Sequence, residues 1–173
     1  GAIAPPAAVP GATIRPAALF ADATALLSGH THHETLYDDF KRQTLLPERM
    51  SQMGPGLAWV DANDDGREDL VVGAGKGGAL TVLTNTGARF TPRTGSTVVG
   101  DLTALVPIPD GRGGERLAVG QANYEADSFD AALMLPSVLA FTFRGGAPGS
   151  DGSLLGGDTA SIGAVTAGDV NGD

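Results

Sequence analysis

The chain has 173 residues, a formal net charge of −9 and no cysteine. Disulfides and cysteine-bearing zinc sites are therefore excluded, and the acidity argues against nucleic-acid binding, which needs a basic face. The 26 glycines and 11 prolines suit a chain of many turns, and no apolar run is long enough to span a bilayer.

Residues 1–16 are rich in alanine and proline and read as a linker or the tail of an upstream region. Residues 17–53 form a mixed segment leading into a set of repeats. Two short helical turns are expected in it, over residues 21–27 and 38–46, the second ended by Pro47. The stretch His30-Thr31-His32-His33-Glu34 could bind zinc or copper through its imidazoles. Position 37 is Tyr, so no H-E-x-x-H motif is completed, and a polar surface loop is the favoured reading. Asp38 and Asp39 are adjacent, and adjacent side chains usually point apart.

From residue 54 the pattern changes to short apolar runs separated by turn residues. Residues 56–60, 70–72, 79–84 and 89–91 read as four strands, with Asn85-Thr86-Gly87 as turn chemistry. Between the first two lies Asp61-Ala62-Asn63-Asp64-Asp65-Gly66-Arg67-Glu68-Asp69. Oxygen-bearing side chains stand at its positions 1, 3, 5 and 9, and glycine stands at position 6. Ca2+ takes six to eight oxygens, and alternate residues of a tight loop can supply them. We expect Asp61, Asn63, Asp65 and Asp69 as side-chain ligands and Arg67 through its carbonyl. An EF-hand would need a bidentate glutamate at position 12, which is Val72 and lies in a strand.

Gly73-Ala74-Gly75-Lys76-Gly77-Gly78 matches G-x-G-x-x-G, but a strand and not a helix is expected after it, so a flexible turn is favoured over a dinucleotide site. Trp59 is expected to pack between repeat units. A second unit, residues 102–162, echoes the first, with Leu117-Ala118-Val119-Gly120 lying 47 residues after Leu70-Val71-Val72-Gly73. At that offset Asp61 falls on Ile108, Asn63 on Asp110, Asp65 on Arg112 and Asp69 on Arg116, so no calcium is expected there. A further strand is read over residues 136–143, and the extra length of this unit is assigned to loops at 123–130 and 145–157, with Tyr124 a candidate ligand-facing residue. Residues 163–173 begin a third unit. Asp169, Asn171 and Asp173 start a second metal site that is cut short, and weak or no binding is expected of it.

Four short antiparallel strands per repeat, at a period of about 40–60 residues, belong to β-propellers. The expected fold is all-β: a partial β-propeller of four-stranded blades with calcium-binding hairpin loops, a fragment of a larger ring. The span Asp61 to Gly73 resembles an FG-GAP or VCBS repeat, the type that forms the blades of integrin-α-like propellers. The runs Phe40-Lys41-Arg42-Gln43-Thr44-Leu45-Leu46-Pro47 and Ser51-Gln52-Met53-Gly54-Pro55-Gly56 are similar to bacterial secreted proteins related to cartilage acidic protein, of the ASPIC/UnbV type. The resemblance implies a calcium-binding adhesion or recognition module of a secreted or cell-envelope bacterial protein. Its partner would be an extracellular protein or glycan, and it would not itself be an enzyme. A carbohydrate-binding propeller is the alternative. An enzyme on a propeller scaffold is a third reading, but no G-x-S-x-G elbow is present.

Overall fold

The computed structural model describes residues 19–52 and 54–171, so the expected linker of residues 1–16 lies outside the described residues. Two four-stranded antiparallel sheets dominate. The first contains β1 (Leu57–Val60), β2 (Asp69–Val72), β3 (Ala79–Asn85) and β4 (Phe90–Thr97). The second contains β5 (Leu102–Pro109), β6 (Glu115–Gln121), β7 (Val138–Arg144) and β8 (Ala147–Leu155). In each sheet the strands lie side by side in chain order.

Side-chain pattern explains where each strand sits. In β1 exposure alternates, with Ala58 and Val60 inward and Leu57 and Trp59 outward, the period of two that a half-covered strand requires. β3 runs Leu80-Thr81-Val82-Leu83 without a polar break in burial, as suits an inner strand covered on both faces. Pro92 lies in β4, and Pro107 and Pro109 in β5. Both strands are sheet edges, where the missing N–H breaks no ladder.

The sheets share one core, built from Val60, Val71, Leu80, Val82 and Val98 on one side and Leu102, Leu117, Val119 and Phe141 on the other. β1 lies against β5, and β4 against β8, so like strands face like strands. At the seam the Gly56 amide donates to the Leu102 carbonyl at 3.2 Å, and the Leu102 amide donates to the Ala74 carbonyl at 2.9 Å. Gly73 sits where a side chain would not fit, since a Cβ there would come within 2.9 Å of the Leu102 oxygen.

Several expectations are corrected. Residues 145–157 are not a loop: β8 occupies most of them. It is a polar, glycine-rich edge strand, so it carries no apolar period to read. The expected loop at 123–130 runs into α2 (Phe129–Met134), capped by Ser128, whose hydroxyl accepts from the Ala131 amide at 3.1 Å. The helical turn at 38–46 shrinks to α1 (Asp39–Arg42), and that at 21–27 to a 3-10 turn at Thr24–Leu27. Trp59 does not pack between the sheets. It is 51% exposed and lies near Phe90 of its own sheet, with ring centroids 6.2 Å apart. The constant offset of 47 also slips. Val60 pairs with Asp69, and Ile108 pairs with Arg116. Eight residues separate Val60 from Asp69 and seven separate Ile108 from Arg116, so Asp61 corresponds to Pro109, not Ile108.

Candidate functional site

The acidic loop is the β1–β2 turn. Asp61 anchors it: its Oδ1 accepts from the Asp65 amide at 3.0 Å and its Oδ2 from the Gly66 amide at 2.7 Å. The Asn63 side-chain oxygen also accepts from the Asp65 amide, at 3.0 Å. Gly66 turns the chain at φ +81°, a region costly for residues with a Cβ. Asp65 receives the Arg67 amide at 2.9 Å on Oδ1 and the Arg67 guanidinium at 2.8 Å on Oδ2. Desolvation acts to raise the Asp65 carboxyl, but the Arg67 amide, the Asn63 side-chain amide and the Arg67 charge outweigh it and hold it below the ordinary carboxylate range.

Asp69 is the buried member. Its Oδ1 accepts from the Asn85 amide at 2.7 Å and its Oδ2 from the Ala62 amide at 3.2 Å, stapling the loop to β3. Burial pushes its carboxyl up, and the negative charges of Asp65 and Asp61 push the same way. Each oxygen of Asp61 and Asp69 keeps a second lone pair beside its amide bond, so their donor chemistry suits Ca2+, whereas Asp65 Oδ2 already accepts from Asn63 and Arg67. The loop is nevertheless closed on itself. Asp61, Asp65 and Asp69 do not bring three carboxylate oxygens within 4.8 Å of one another, and the Arg67 guanidinium occupies Asp65.

The β5–β6 turn keeps the tether and loses the acids. Asp110 Oδ1 accepts from the Arg112 amide at 2.6 Å and the Gly114 amide at 3.0 Å. Arg112, Arg116 and Arg144 share a hollow there with Asp110 and Asp151. Near the end of the described residues, Asp169 Oδ1 accepts from the Asn171 amide at 3.0 Å, and Asp173 lies outside them.

A second cluster joins Glu34 of the histidine motif to two acids that belong to no sequence motif. A cavity of about 380 Å³ opens where the β2–β3 turn, the start of β5 and the segment after β6 meet; His32, Glu34, Gly75, Asp101 and Tyr124 line it. Glu34, Asp101 and Glu125 each offer a carboxylate oxygen, and these atoms lie within 4.8 Å of one another. Glu125 is 4% exposed. Burial pushes its carboxyl up to about 7, helped by the Asp101 and Glu34 charges. Asp101 is likewise raised, chiefly by burial. The Lys76 amide donates to Asp101 Oδ1 at 2.8 Å, while Lys76 Nζ donates to the Glu125 carbonyl at 2.9 Å and to Asp127 at 3.0 Å.

His32 and Glu34 of the histidine stretch line this cavity, while His33 is exposed and the segment is a surface loop without helix or strand, as expected. The segment is extended, with His30, His32 and Glu34 turned inward and partly buried. His32 Nε2 stands 3.1 Å from Glu34 Oε2. The fold of this segment depends on α1. Asp39 is fully covered and accepts from the Met50 and Ser51 amides, each at 2.9 Å, and from the Ser51 hydroxyl. Asp38 is exposed, so the two neighbours diverge as expected. Arg42 donates to the Tyr124 carbonyl at 2.7 Å and the Ala126 carbonyl at 3.1 Å, fixing the backbone on both sides of Glu125. Tyr124 itself packs edge-on against Tyr37, with centroids 5.9 Å apart.

Residues 34, 101 and 125 are remote in sequence, and only tertiary packing joins them. The one local hint is the inward alternation through His30, His32 and Glu34. Among the described residues, no helix is long and apolar enough to cross a membrane. Comparison of the chain with protein-family models, curated proteins and solved structures found no match.

Proposed function

We propose that the chain is a calcium-stabilised β-propeller segment that serves as a recognition or adhesion module of a secreted or cell-envelope protein. The observation that supports this reading is the succession of two four-stranded antiparallel sheets along the chain. Two sequential four-stranded meanders pack with β1 against β5 and β4 against β8, an arrangement compatible with neighbouring blades about a common axis. The acidic loop sits at the first turn of the first unit, and the corresponding turn of the second keeps an aspartate tether. Bound Ca2+ would offset the mutual repulsion of Asp61, Asp65 and Asp69. Asn63 would supply its side-chain oxygen and Arg67 its carbonyl. An ion that binds only the folded chain adds its binding free energy to folding stability.

Melting the chain with and without Ca2+, beside its Asp65→Ala variant, tests the metal part. A rise in melting temperature confined to the parent chain, or much reduced in the variant, is expected from the loop. Identical melting in both, with and without the ion, removes calcium from the reading.

One observation favours a carbohydrate-binding propeller as a second reading. The cavity lies between the two units, with Tyr124 beside the polar groups of His32, Glu34 and Asp101. A glycan array separates the two readings, because selective sugar retention would assign recognition to the cavity.

A further inference from the structure

We propose that Glu34, Asp101 and Glu125 form a binding site for a hard divalent cation at the wall of the inter-sheet cavity, separate from the β1–β2 loop. Two oxygens bound to one Ca2+ at 2.3–2.6 Å lie at most roughly 5 Å apart. The three carboxylate oxygens meet that limit, all within 4.8 Å of one another. Their donor type, oxygen throughout, selects Ca2+ or Mn2+ over the softer metals.

The observation that points to a ligand is an orphan. Glu125 is 96% buried by its 4% exposure, and its Oε1 has no hydrogen-bond partner. Glu34 Oε1 is also buried and unpartnered. A buried carboxylate oxygen left without a donor is costly, and here two converge with a third acid. Lys76 Nζ donates to the Glu125 carbonyl and to Asp127 rather than to any of the three carboxylates. Burial outweighs its charge at both Glu125 and Asp101, although that charge favours their ionised forms.

The surroundings set the oxygens in place. His32 engages Glu34 Oε2 and leaves Oε1 unengaged. Arg42 clamps the chain on both sides of Glu125. Gly75 makes the room: a Cβ at that position would stand 2.5 Å from Glu34 Oε1. Glu34 and Asp101 line the cavity, so the ion's remaining coordination positions face a space that water or a ligand oxygen can fill.

The test uses the full 173-residue chain carrying Asp65→Ala, which takes the loop out of the count. Isothermal titration with Ca2+ and with Mn2+ should still give one ion per chain. Adding Glu125→Gln should abolish that binding. Circular dichroism should show the variant folded, since glutamine relieves repulsion at the same shape. Adding Gly75→Ala instead should weaken binding by displacing the Glu34 carboxylate, a flexible group whose movement leaves the fold intact. Absence of binding in the Asp65→Ala chain overturns the proposal, and so does binding that survives Glu125→Gln unchanged. Failure of the loop reading would appear separately, as one ion rather than two in the parent chain.

Discussion

Replacing Asp39 by asparagine removes one negative charge from a covered position while keeping the shape. In the folded chain burial acts to raise the Asp39 carboxyl, but the Ser51 hydroxyl and the Met50 and Ser51 amides outweigh it and bring it from 3.8 down to about 2. At 1.36 kcal/mol per pKa unit that shift converts to roughly 2.5 kcal/mol. α1 lies at the surface, with Asp38, Phe40, Lys41 and Arg42 exposed around Asp39, so solvent screening lowers the expected loss to about 1–2 kcal/mol. The depressed value fixes the sign. The stabilisation is complete above the unfolded pKa of 3.8 and disappears as pH falls from there through about 2. Urea denaturation followed by far-ultraviolet circular dichroism, repeated between neutral and strongly acid pH, reads it directly. The gap between parent and Asp39→Asn should be widest near neutrality and close in acid. Two curves that run parallel across the whole range would show that the Asp39 charge contributes nothing and that α1 is held by other forces.

Arg67→Ala should raise the Ca2+ affinity of the β1–β2 loop about two- to fivefold, the range an exposed ion pair supports, because the guanidinium 2.8 Å from Asp65 competes with the ion while the backbone carbonyl at position 67 is kept. Calorimetric titration of both chains checks this, and weaker binding in the variant would contradict it. Gly100→Ala should destabilise by about 1–3 kcal/mol, since its Cβ would meet the backbone oxygen of Ala122 at 2.4 Å; an unchanged denaturation midpoint would count against the packing described. Leu117→Ala, at a position with no exposure in the shared core, should cost about 2–5 kcal/mol, and a loss well below that range would mean that the sheets do not bury it together.

The strands with a clear apolar signal were legible. Ala79 to Thr84 and Leu70 to Val72 are short runs bounded by glycine or acidic turns, and both are strands. β8 was not legible, because Gly149, Ser150, Asp151, Gly152 and Ser153 offer neither alternation nor β-branched bulk. Pairing with β7 along one edge makes it a strand, and that is a tertiary cause. The one-residue slip between the two hairpins was hidden for a related reason: turn length is fixed by pairing register, which a constant offset cannot represent. The acidic loop announced itself because its oxygens are close in sequence. The cluster of Glu34, Asp101 and Glu125 did not, because Asp101 and Glu125 look ordinary in their own neighbourhoods and the histidine motif around Glu34 carries no sign of them.

The order of strands in both sheets has a kinetic consequence. Every ladder joins segments adjacent along the chain, so each meander can zip up hairpin by hairpin with short loop closures. The slow, cooperative event is then docking of one finished meander on the other, when Leu102 meets Ala74 and Gly56. A nascent chain that has completed β4 presents Leu80 and Val82 with part of their core still unmade, and synthesis of β5 to β8 is what closes that window against aggregation.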